Sequence, residues 1–314
     1  MNRLDYTFRV MAAALALLLA VGPFLPQWVL FLITVSFGKG LVVLGLLMLL
    51  RTGLVSFGQG LYYCLGAYTA GSLGLALGVH DAFLALLSGV LAAGVLAFVL
   101  GFLLANYRGI FFAMLSLAFS MILYGLLVKT AMLGSTDGFN VAVPSFFGMK
   151  IAGPWVRYAV YALACLSVAL AGLLVNRYLK TSLGRLSPAI KDNELRVEYM
   201  GASVRRAIHV KYVIAAALAG LGGALTAITI GHIDPEMAYW TTSGEFVFIT
   251  ILGGTGSVLA PFFGALIFES IRSFAYEYSP NTWQMVLGSA LLLVILFLPA
   301  GLWSVFYSRQ KRRV

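Results

Sequence analysis

The stretch AFLALLSGVLAAGVLAFVLGFLLA, residues 82–105, runs for 24 residues without a charged side chain. The hydrocarbon core of a bilayer is about 30 Å thick, and an α-helix needs about 20 apolar residues to cross it. We therefore predict that residues 82–105 form a membrane-spanning helix. A membrane β-strand would alternate apolar and polar residues in a shorter segment, and this stretch does not alternate.

The whole chain has the composition of a membrane protein. Of its 314 residues, 61 % are hydrophobic and 10 % are charged, and the mean hydropathy is +0.96. Soluble domains carry about 25 % charged residues, so the composition excludes a soluble enzyme, a secreted disulfide scaffold and a disordered chain. Cys64 and Cys165 lie in apolar stretches without a neighbouring metal ligand, and both are predicted to be packing residues.

Ten apolar stretches predict an all-α fold, a polytopic integral membrane bundle of about ten spans with some segments broken or re-entrant. Residues 1–314 then form one transmembrane domain. The most N-terminal apolar stretch, residues 10–21, has the length of a signal peptide. No cleavage site is clear before Pro23, so this stretch is interpreted as a short first span. The predicted spans are residues 10–21, 29–50, 61–79, 82–105, 110–133, 155–179, 207–230, 244–259, 261–276 and 283–303.

The net charge of +10 is explained by topology rather than by nucleic-acid binding. With ten spans and both termini in the cytoplasm, 16 of the 21 basic residues fall on the inside, as the positive-inside rule requires. These residues are Arg3, Arg9, Arg51, Arg108, Arg177, Lys180, Arg185, Lys191, Arg196, Arg205, Arg206, Lys211, Arg309, Lys311, Arg312 and Arg313.

Two glycine-rich breaks interrupt the hydrophobic pattern, GLVSFGQG at residues 53–60 and GGTGS at 253–257. Backbone that breaks at membrane depth must line a cavity or be buried in protein, so paired breaks indicate a transport pathway. Close helix packing through small residues explains the pattern equally well, and both interpretations stay open. In the seventh span, the spacing of Ala216, Gly220 and Ala224 and that of Ala219 and Gly223 are better explained by packing alone.

Charged groups near membrane depth are costly and indicate function by default, which draws attention to Lys39, Glu245 and Glu269. Glu269 can instead pair with Arg272 one turn along its helix. Lys39 lies nearer the middle of its span, so snorkelling to an interface explains it less well. The candidates for a translocation path are Ser56, Gln59, Ser116, Thr136, Asp137, Glu245, Gly253 and Gly254, with Lys39 as an intramembrane charge.

Residues 180–206 form the one sizeable polar segment, and it is predicted to be a cytoplasmic loop that contains a short helix. Ser187 can cap this helix, Pro188 suits its first turn, and Gly201 suits the left-handed residue just past its end. Ile190, Val197 and Met200 form an apolar strip. Either the helix is a solvated connector, or it docks into a groove on a partner protein.

The sequence lacks the signals of catalysis. GKG at residues 38–40 has neither the upstream spacing nor the hydroxyl residue of a phosphate-binding loop, so the chain is predicted to have no ATPase site of its own. His80, His209 and His232 are isolated from one another, and no metal site is predicted. No nucleophile has a base beside it in sequence.

Several motifs occur in an order that resembles the inner-membrane permeases of branched-chain amino acid ABC importers, in particular the M-type member of the permease pair. The strongest block is AIKDNE at 189–194, followed by Glu198 and Gly201. The other matching motifs are residues 53–60 with LGAYT at 65–69, RGIFFAMLSLAF at 108–119, GSTDG at 134–138 with Pro144, AGLGGAL at 219–225, Pro235, Ser243 and Glu245, LGGTGS at 252–257, and FLPAG at 297–301.

This resemblance implies a transport subunit of a bacterial inner membrane, without cofactors of its own. It implies that residues 188–201 are a coupling helix that docks on a separate ATPase, where ATP and magnesium bind. The implied partners are a homologous H-type permease, two cytoplasmic ATPase subunits and a periplasmic substrate-binding protein. The residues implied to couple the chain to the ATPase are Ala189, Ile190, Lys191, Asp192, Asn193, Glu194, Glu198 and Gly201.

The solute is left open by departures from the family pattern. Gln59 stands where a histidine is common, Leu46 stands where an asparagine is expected, and Lys39 is unusual in its helix. A branched-chain or other hydrophobic amino acid is the first expectation, and urea, short amides or aromatic amino acids are alternatives in the same superfamily. An ion-coupled secondary transporter that uses Lys39, Glu245 or Glu269 is a more distant alternative.

Overall fold

The structure is a computed structural model that describes residues 3–149, 151, 153, 155–278, 280–297 and 301–303. The predicted cytoplasmic C-terminus, with the basic residues at 309, 311, 312 and 313, lies outside the described residues. Residues 298–300 of the last sequence motif lie outside them as well.

The described chain folds as helices joined by short connections, which confirms the all-α polytopic prediction. Each of the ten predicted spans coincides with a helix, and two further helices lie in the polar segment. Two short strands, β1 (Phe139–Asn140) and β2 (His232–Ile233), pair in antiparallel fashion. The helices are α1 (Arg3–Val21), α2 (Gln27–Leu50), α3 (Gln59–Leu77), α4 (Ala82–Leu104), α5 (Gly109–Lys129), α6 (Trp155–Leu179), α7 (Ser182–Asp192), α8 (Glu194–Tyr199), α9 (Val204–Ile230), α10 (Trp240–Gly253), α11 (Ala260–Tyr278) and α12 (Trp283–Phe297).

Not every helix is a complete span. Within the described residues, α2, α4, α5, α6 and α9 are long and apolar enough to cross a membrane, judged by length and composition. α10 has 14 residues, which is about 21 Å at a rise of 1.5 Å per residue and too short for a core of about 30 Å. The helix of the predicted eighth span, residues 244–259, begins earlier than predicted and ends at Gly253. The chain is a multi-pass membrane protein in which α10 is shorter than a complete span.

α9 lies at the centre of the bundle and packs against α2, α3 and α4. Glycines allow the backbones to approach closely, because a Cβ at Gly66 would overlap Gly220 and a Cβ at Gly223 would overlap the Tyr63 carbonyl oxygen. A Cβ at Gly220 would overlap the backbone of α4 as well. These contacts confirm the packing interpretation of the small residues in the seventh span.

The polar segment folds as two short helices, so the prediction of one helix over 188–201 is wrong. α7 begins earlier, and its cap is Thr181, whose hydroxyl oxygen accepts the Gly184 N–H at 3.3 Å. Pro188 lies inside α7 and has no N–H to donate to the Gly184 carbonyl. The Ser187 hydroxyl donates to that carbonyl instead, at 2.7 Å. Ser187 therefore makes the internal proline tolerable rather than capping the helix.

The chain breaks at Asn193, whose side chain accepts the Arg196 N–H at 3.0 Å and caps α8. Gly201 follows with φ +82°, which confirms the prediction of a left-handed residue there. The three residues of the predicted apolar strip do not share one environment. Ile190 and Val197 are buried in the bundle, whereas Met200 is 66 % exposed.

Lys211 does not belong with the 16 basic residues that were predicted to lie on the cytoplasmic side. Its side chain is fully buried about two turns into α9, and its ammonium has no hydrogen-bond partner among the described residues. Lys211 therefore belongs to the interior of the bundle and not to a cytoplasmic loop, because apolar packing around α9 overrides the expected solvent exposure of a lysine.

Candidate functional site

Two helices meet near their N-termini, α3 at a buried first residue and α10 at the buried Ser243 in its first turn. α3 begins at Gln59 and α10 begins at Trp240, and the Gly60 N–H donates to the Ser243 hydroxyl oxygen at 3.0 Å. Gly60 and Ser243 are both buried. The meeting point therefore brings together the loop after α2 and the turn before α10, which are about 180 residues apart in sequence.

α5 supplies a polar face to this meeting point. Ser116 accepts the Phe57 N–H at 3.1 Å, and Ser120 donates to the Ala238 carbonyl oxygen at 2.7 Å. The two serines lie one turn apart on a buried face that also carries Phe112. Measured along the helix axis, Ser116 and Ser120 lie about 10 and 16 Å from the first residue of α5, and the whole helix is about 31 Å long. The two helix starts therefore meet about midway along a helix that is long enough to span the membrane.

Gln59 is the most unusual side chain at this point. It is fully buried, and neither its Oε1 nor its Nε2 has a hydrogen-bond partner among the described residues. Ser56 is also fully buried, and its hydroxyl oxygen accepts the Gly58 N–H at 3.3 Å. A buried amide without partners costs about 1–3 kcal/mol, so its presence calls for a functional explanation. We name the set Ser56, Gln59, Ser116, Ser120 and Ser243 the polar junction.

Sequence reasoning selected part of the polar junction. Ser56, Gln59 and Ser116 are path candidates that the fold brings together. Ser243 belongs to one of the matching family motifs, but neither Ser243 nor Ser120 is among the path candidates predicted from the sequence. The spacing of Ser116 and Ser120, four residues apart in an apolar helix, is the signal that could have found the second serine.

Two pairs of path candidates lie away from the polar junction. Thr136 and Asp137 are exposed in the connection between α5 and β1 and contact each other, 3.2 Å apart between Oγ1 and Oδ1. Gly253 and Gly254 lie at the far end of α10, where a Cβ at Gly253 would come within 2.6 Å of the Ala260 carbonyl oxygen. Gly254 has φ +84°. The turn at 253–257 thus packs α10 against α11, and the break inside the bundle precedes Trp240.

The intramembrane charges form one neutral cluster, which we name the charge cluster. The Lys39 Nζ lies 2.6 Å from Glu269 Oε1 and 3.0 Å from Glu245 Oε2. The Arg272 Nη1 lies 3.3 Å from Glu245 Oε2 and 3.8 Å from Glu269 Oε1. The predicted pairing of Glu269 with Arg272 is confirmed, but Lys39 is the nearer partner. The cluster joins α2, α10 and α11, and its two positive charges balance its two negative charges.

The end of the bundle that is predicted to face the cytoplasm carries α7 and α8. We name residues 182–200 the docking segment. Ile190 and Val197 anchor it in the bundle, whereas Leu195 is 64 % exposed and Tyr199 is 89 % exposed. Among the implied coupling residues, Lys191, Asp192, Asn193, Glu198 and Gly201 are exposed, Ala189 and Glu194 are partly exposed, and Ile190 is buried.

The loop after α2 connects this end to α10. The Arg51 guanidinium donates to the Thr255 carbonyl oxygen at 2.6 and 3.0 Å. Burial lowers the pKa of Arg51 from its ordinary value, yet an arginine stays charged at physiological pH. Gly53, with φ +81°, lies against Lys191 of α7. The loop that leads into the polar junction therefore also contacts the docking segment.

The sequence is similar to that of known transport proteins. The family described as "Branched-chain amino acid transport system / permease component" matches residues 28–296. The high-affinity branched-chain amino acid transport system permease protein LivM of Escherichia coli K12 is 29 % identical over 294 residues, covering 86 % of this chain and 68 % of that protein. LivM of Salmonella typhimurium is 30 % identical with the same coverage.

The high-affinity branched-chain amino acid transport system permease protein LivH of Escherichia coli K12 is 27 % identical over 269 residues, covering 80 % of this chain and 85 % of LivH. No solved structure matches the chain. Because this family matches residues 28–296, most of the chain, the chain belongs to the family of branched-chain amino acid transport permease components.

Proposed function

We propose that this chain is the membrane subunit of an ATP-driven importer that carries branched-chain or other hydrophobic amino acids from the periplasm across a bacterial inner membrane. It would pair with an H-type permease and receive its solute from a periplasmic binding protein. Two cytoplasmic ATPase subunits would bind ATP and magnesium and drive the cycle. The exposed apolar side chains of the docking segment are the observation that carries this proposal, together with family membership.

A docking role explains the composition of α8. A solvated connector would expose charged side chains, but Leu195, Tyr199 and Met200 present a large apolar area at the cytoplasmic end. Exposed apolar patches rimmed by charges are typical of protein interaction sites. The rim here consists of Lys191, Asp192 and Glu198. We propose that this surface enters a groove on the ATPase subunit.

Replacing Leu195 with aspartate is expected to weaken ATPase docking. The exposed leucine would lose its apolar contact and place a charge in the interface, which is expected to weaken binding about tenfold or more, or about 1.4 kcal/mol. The measurement is the amount of ATPase subunit that co-purifies with an affinity-tagged chain from its native host. Leu195→Met is the matched control and should retain docking. Equal recovery of the ATPase with Leu195→Asp and Leu195→Met would contradict the proposal.

The polar junction is proposed to form the constriction of the translocation path. Helix N-termini present free N–H groups and a partial positive charge, which suit the carboxylate of a passing amino acid. The Gln59 amide can offer a donor and an acceptor to a zwitterion. Its lack of protein partners supports transient contact with solute.

The variant Gln59→Leu is expected to stabilise the chain and impair transport. The change removes two unsatisfied polar atoms, whose burial costs about 1–3 kcal/mol, so the melting temperature in detergent should rise. Uptake of leucine by the reconstituted importer should fall about tenfold, as expected when about 1.4 kcal/mol of interaction with the passing solute is lost. Thr250→Val, which changes a buried hydroxyl bonded within α10, is the control and should keep wild-type uptake. A destabilised Gln59→Leu chain with normal uptake would refute the path assignment.

The function as a whole is tested by reconstitution. Proteoliposomes that contain the co-purified complex should take up leucine only when ATP and the binding protein are both present. Proteoliposomes that contain this chain alone should take up none, with or without a proton or sodium gradient. Gradient-driven uptake by the chain alone would favour an ion-coupled carrier and overturn the proposal.

A further inference from the structure

An ion pair connects the docking segment to α5. The Arg108 Nε lies 2.6 Å from Glu194 Oε1. Glu194 is the first residue of α8, and Arg108 immediately precedes α5. The two residues are 86 positions apart in sequence, so the contact joins two separate parts of the chain at their helix starts.

Arg108 also fixes the turn between α4 and α5. Its Nη1 donates to the Ala105 carbonyl oxygen at 2.7 Å and to the Tyr107 carbonyl oxygen at 2.8 Å. Three hydrogen bonds therefore hold the guanidinium between the end of α4 and the start of α8. Gly109 follows with φ +54° and with open space around its Cβ position. Glycine adopts this left-handed conformation without steric cost, so Gly109 joins the held arginine directly to the first turn of α5.

The rest of α5 carries contacts to the polar junction. Phe112, Ser116 and Ser120 are buried on one face of the helix, and the serines bond to the loop before α3 and to the turn before α10. A helix transmits a displacement along its axis because its backbone hydrogen bonds keep it rigid. A shift at Arg108 would therefore reach both helix starts.

We propose that the Arg108–Glu194 ion pair transmits movement of the docking segment to α5 and so opens or closes the polar junction. This inference rests on the proposed function, because it requires an ATPase that moves the docking segment. Arg108 and Glu194 are then positioning residues that do not contact the solute.

A purely structural role explains the pair less well. The Arg108 side chain is 30 % exposed and the Glu194 side chain 35 % exposed, and partly solvated ion pairs contribute little to stability. A solvent-exposed docking contact of Glu194 is also disfavoured, because its carboxylate is already paired with Arg108. The position of the pair, between a segment that faces a partner and a helix that reaches the polar junction, fits transmission.

The test is a charge exchange in the complete transporter. The variants Arg108→Glu and Glu194→Arg and the double exchange are purified with their partner subunits and reconstituted, and leucine uptake per ATP hydrolysed is measured. Each single variant should reduce this ratio about fivefold or more, and the double exchange should restore it to within about twofold of the wild type. Arg177→Glu, a reversal of an exposed arginine at the end of α6, is the matched control and should leave the ratio unchanged.

Several outcomes would overturn the inference. Single variants that couple normally would refute it, as would a double exchange that is as defective as Glu194→Arg alone. Loss of ATPase co-purification in Glu194→Arg but not in Arg108→Glu would assign Glu194 to docking instead. If the charge-reversed chains do not accumulate, Arg108→Gln and Glu194→Gln serve in their place. Their double variant should then be no worse than either single variant, and additive losses would refute the inference.

These outcomes are separable from failure of the proposed function. If the wild-type complex takes up no leucine with ATP and binding protein, the proposed function fails before any variant is compared. If the wild-type complex transports and the exchange shows no rescue, the function stands and the transmission role alone is rejected.

Discussion

Replacing Lys39 with methionine is expected to destabilise the chain severely. Lys39 is 6 % exposed and lies between Glu245 and Glu269, so the change leaves two partly buried carboxylates facing one Arg272. Removing one partner from a buried ion pair costs about 3–5 kcal/mol, because the remaining charge stays desolvated. The melting temperature of the detergent-purified chain and its amount in the membrane should both fall sharply.

The matched control restores the charge balance. The double variant Lys39→Met with Glu269→Gln returns the cluster to one positive and one negative group, and Arg272 remains next to Glu245. We expect it to recover most of the lost stability, because buried pairs can often be replaced by neutral groups at little cost. A Lys39→Met chain that melts like the wild type would contradict the structural role of the cluster.

The same double variant separates a structural from an ion-coupling role. If the charge cluster only ties α2, α10 and α11 together, the double variant should take up leucine at a rate close to that of the wild type in the presence of ATP. If Lys39 or Glu269 carried a coupling proton, uptake would be lost even though stability is restored. The mutual pairing of all four charges favours the structural role.

The sequence predicted helices well because apolar run length decides them. Residues 82–105 could only be a span, and α4 begins at Ala82, with Asp81 accepting the Phe83 N–H as its cap. The polar segment was harder to predict, since Thr181 and Ser187 are both acceptable caps. Thr181 is the cap only if the helix can continue through Pro188, which has no N–H to donate to the Gly184 carbonyl oxygen. The Ser187 hydroxyl donates to that oxygen instead, and this hydrogen bond exists only once the helix has folded.

Contacts between distant residues could not be predicted from local patterns. Lys39 and Glu245 are 206 residues apart, and Gly60 and Ser243 are 183 residues apart. Helical periodicity gives each residue a face on its own helix but does not say which helix will cover that face. The sequence therefore indicated Ser56, Gln59 and Lys39 as candidates, and the fold was needed to separate the polar junction from the charge cluster.

The substitution Gly223→Ala, which adds one methyl group, is also expected to lower the stability of the chain strongly. A Cβ at this position would overlap the Tyr63 carbonyl oxygen and would approach the Ala67 amide nitrogen to 3.1 Å, so α3 and α9 would have to separate. Backbone atoms cannot move aside as a flexible side chain can, and overpacking a rigid core costs about 1–3 kcal/mol or more. We expect Gly223→Ala to lower the melting temperature by several degrees, and to impair uptake as well, because α3 carries Gln59 into the polar junction.

Gly94→Ala is the matched control for this experiment. Gly94 lies within α4, and a Cβ there meets nothing within 4 Å. Alanine is favoured over glycine in a helix interior by about 1 kcal/mol, so this variant should be neutral or more stable. The two substitutions add the same atom to a helical glycine and differ in the backbone that faces it. Equal melting temperatures for the two variants would show that α3 and α9 are not packed backbone to backbone, whereas a large difference places the rigid centre of the bundle at their contact.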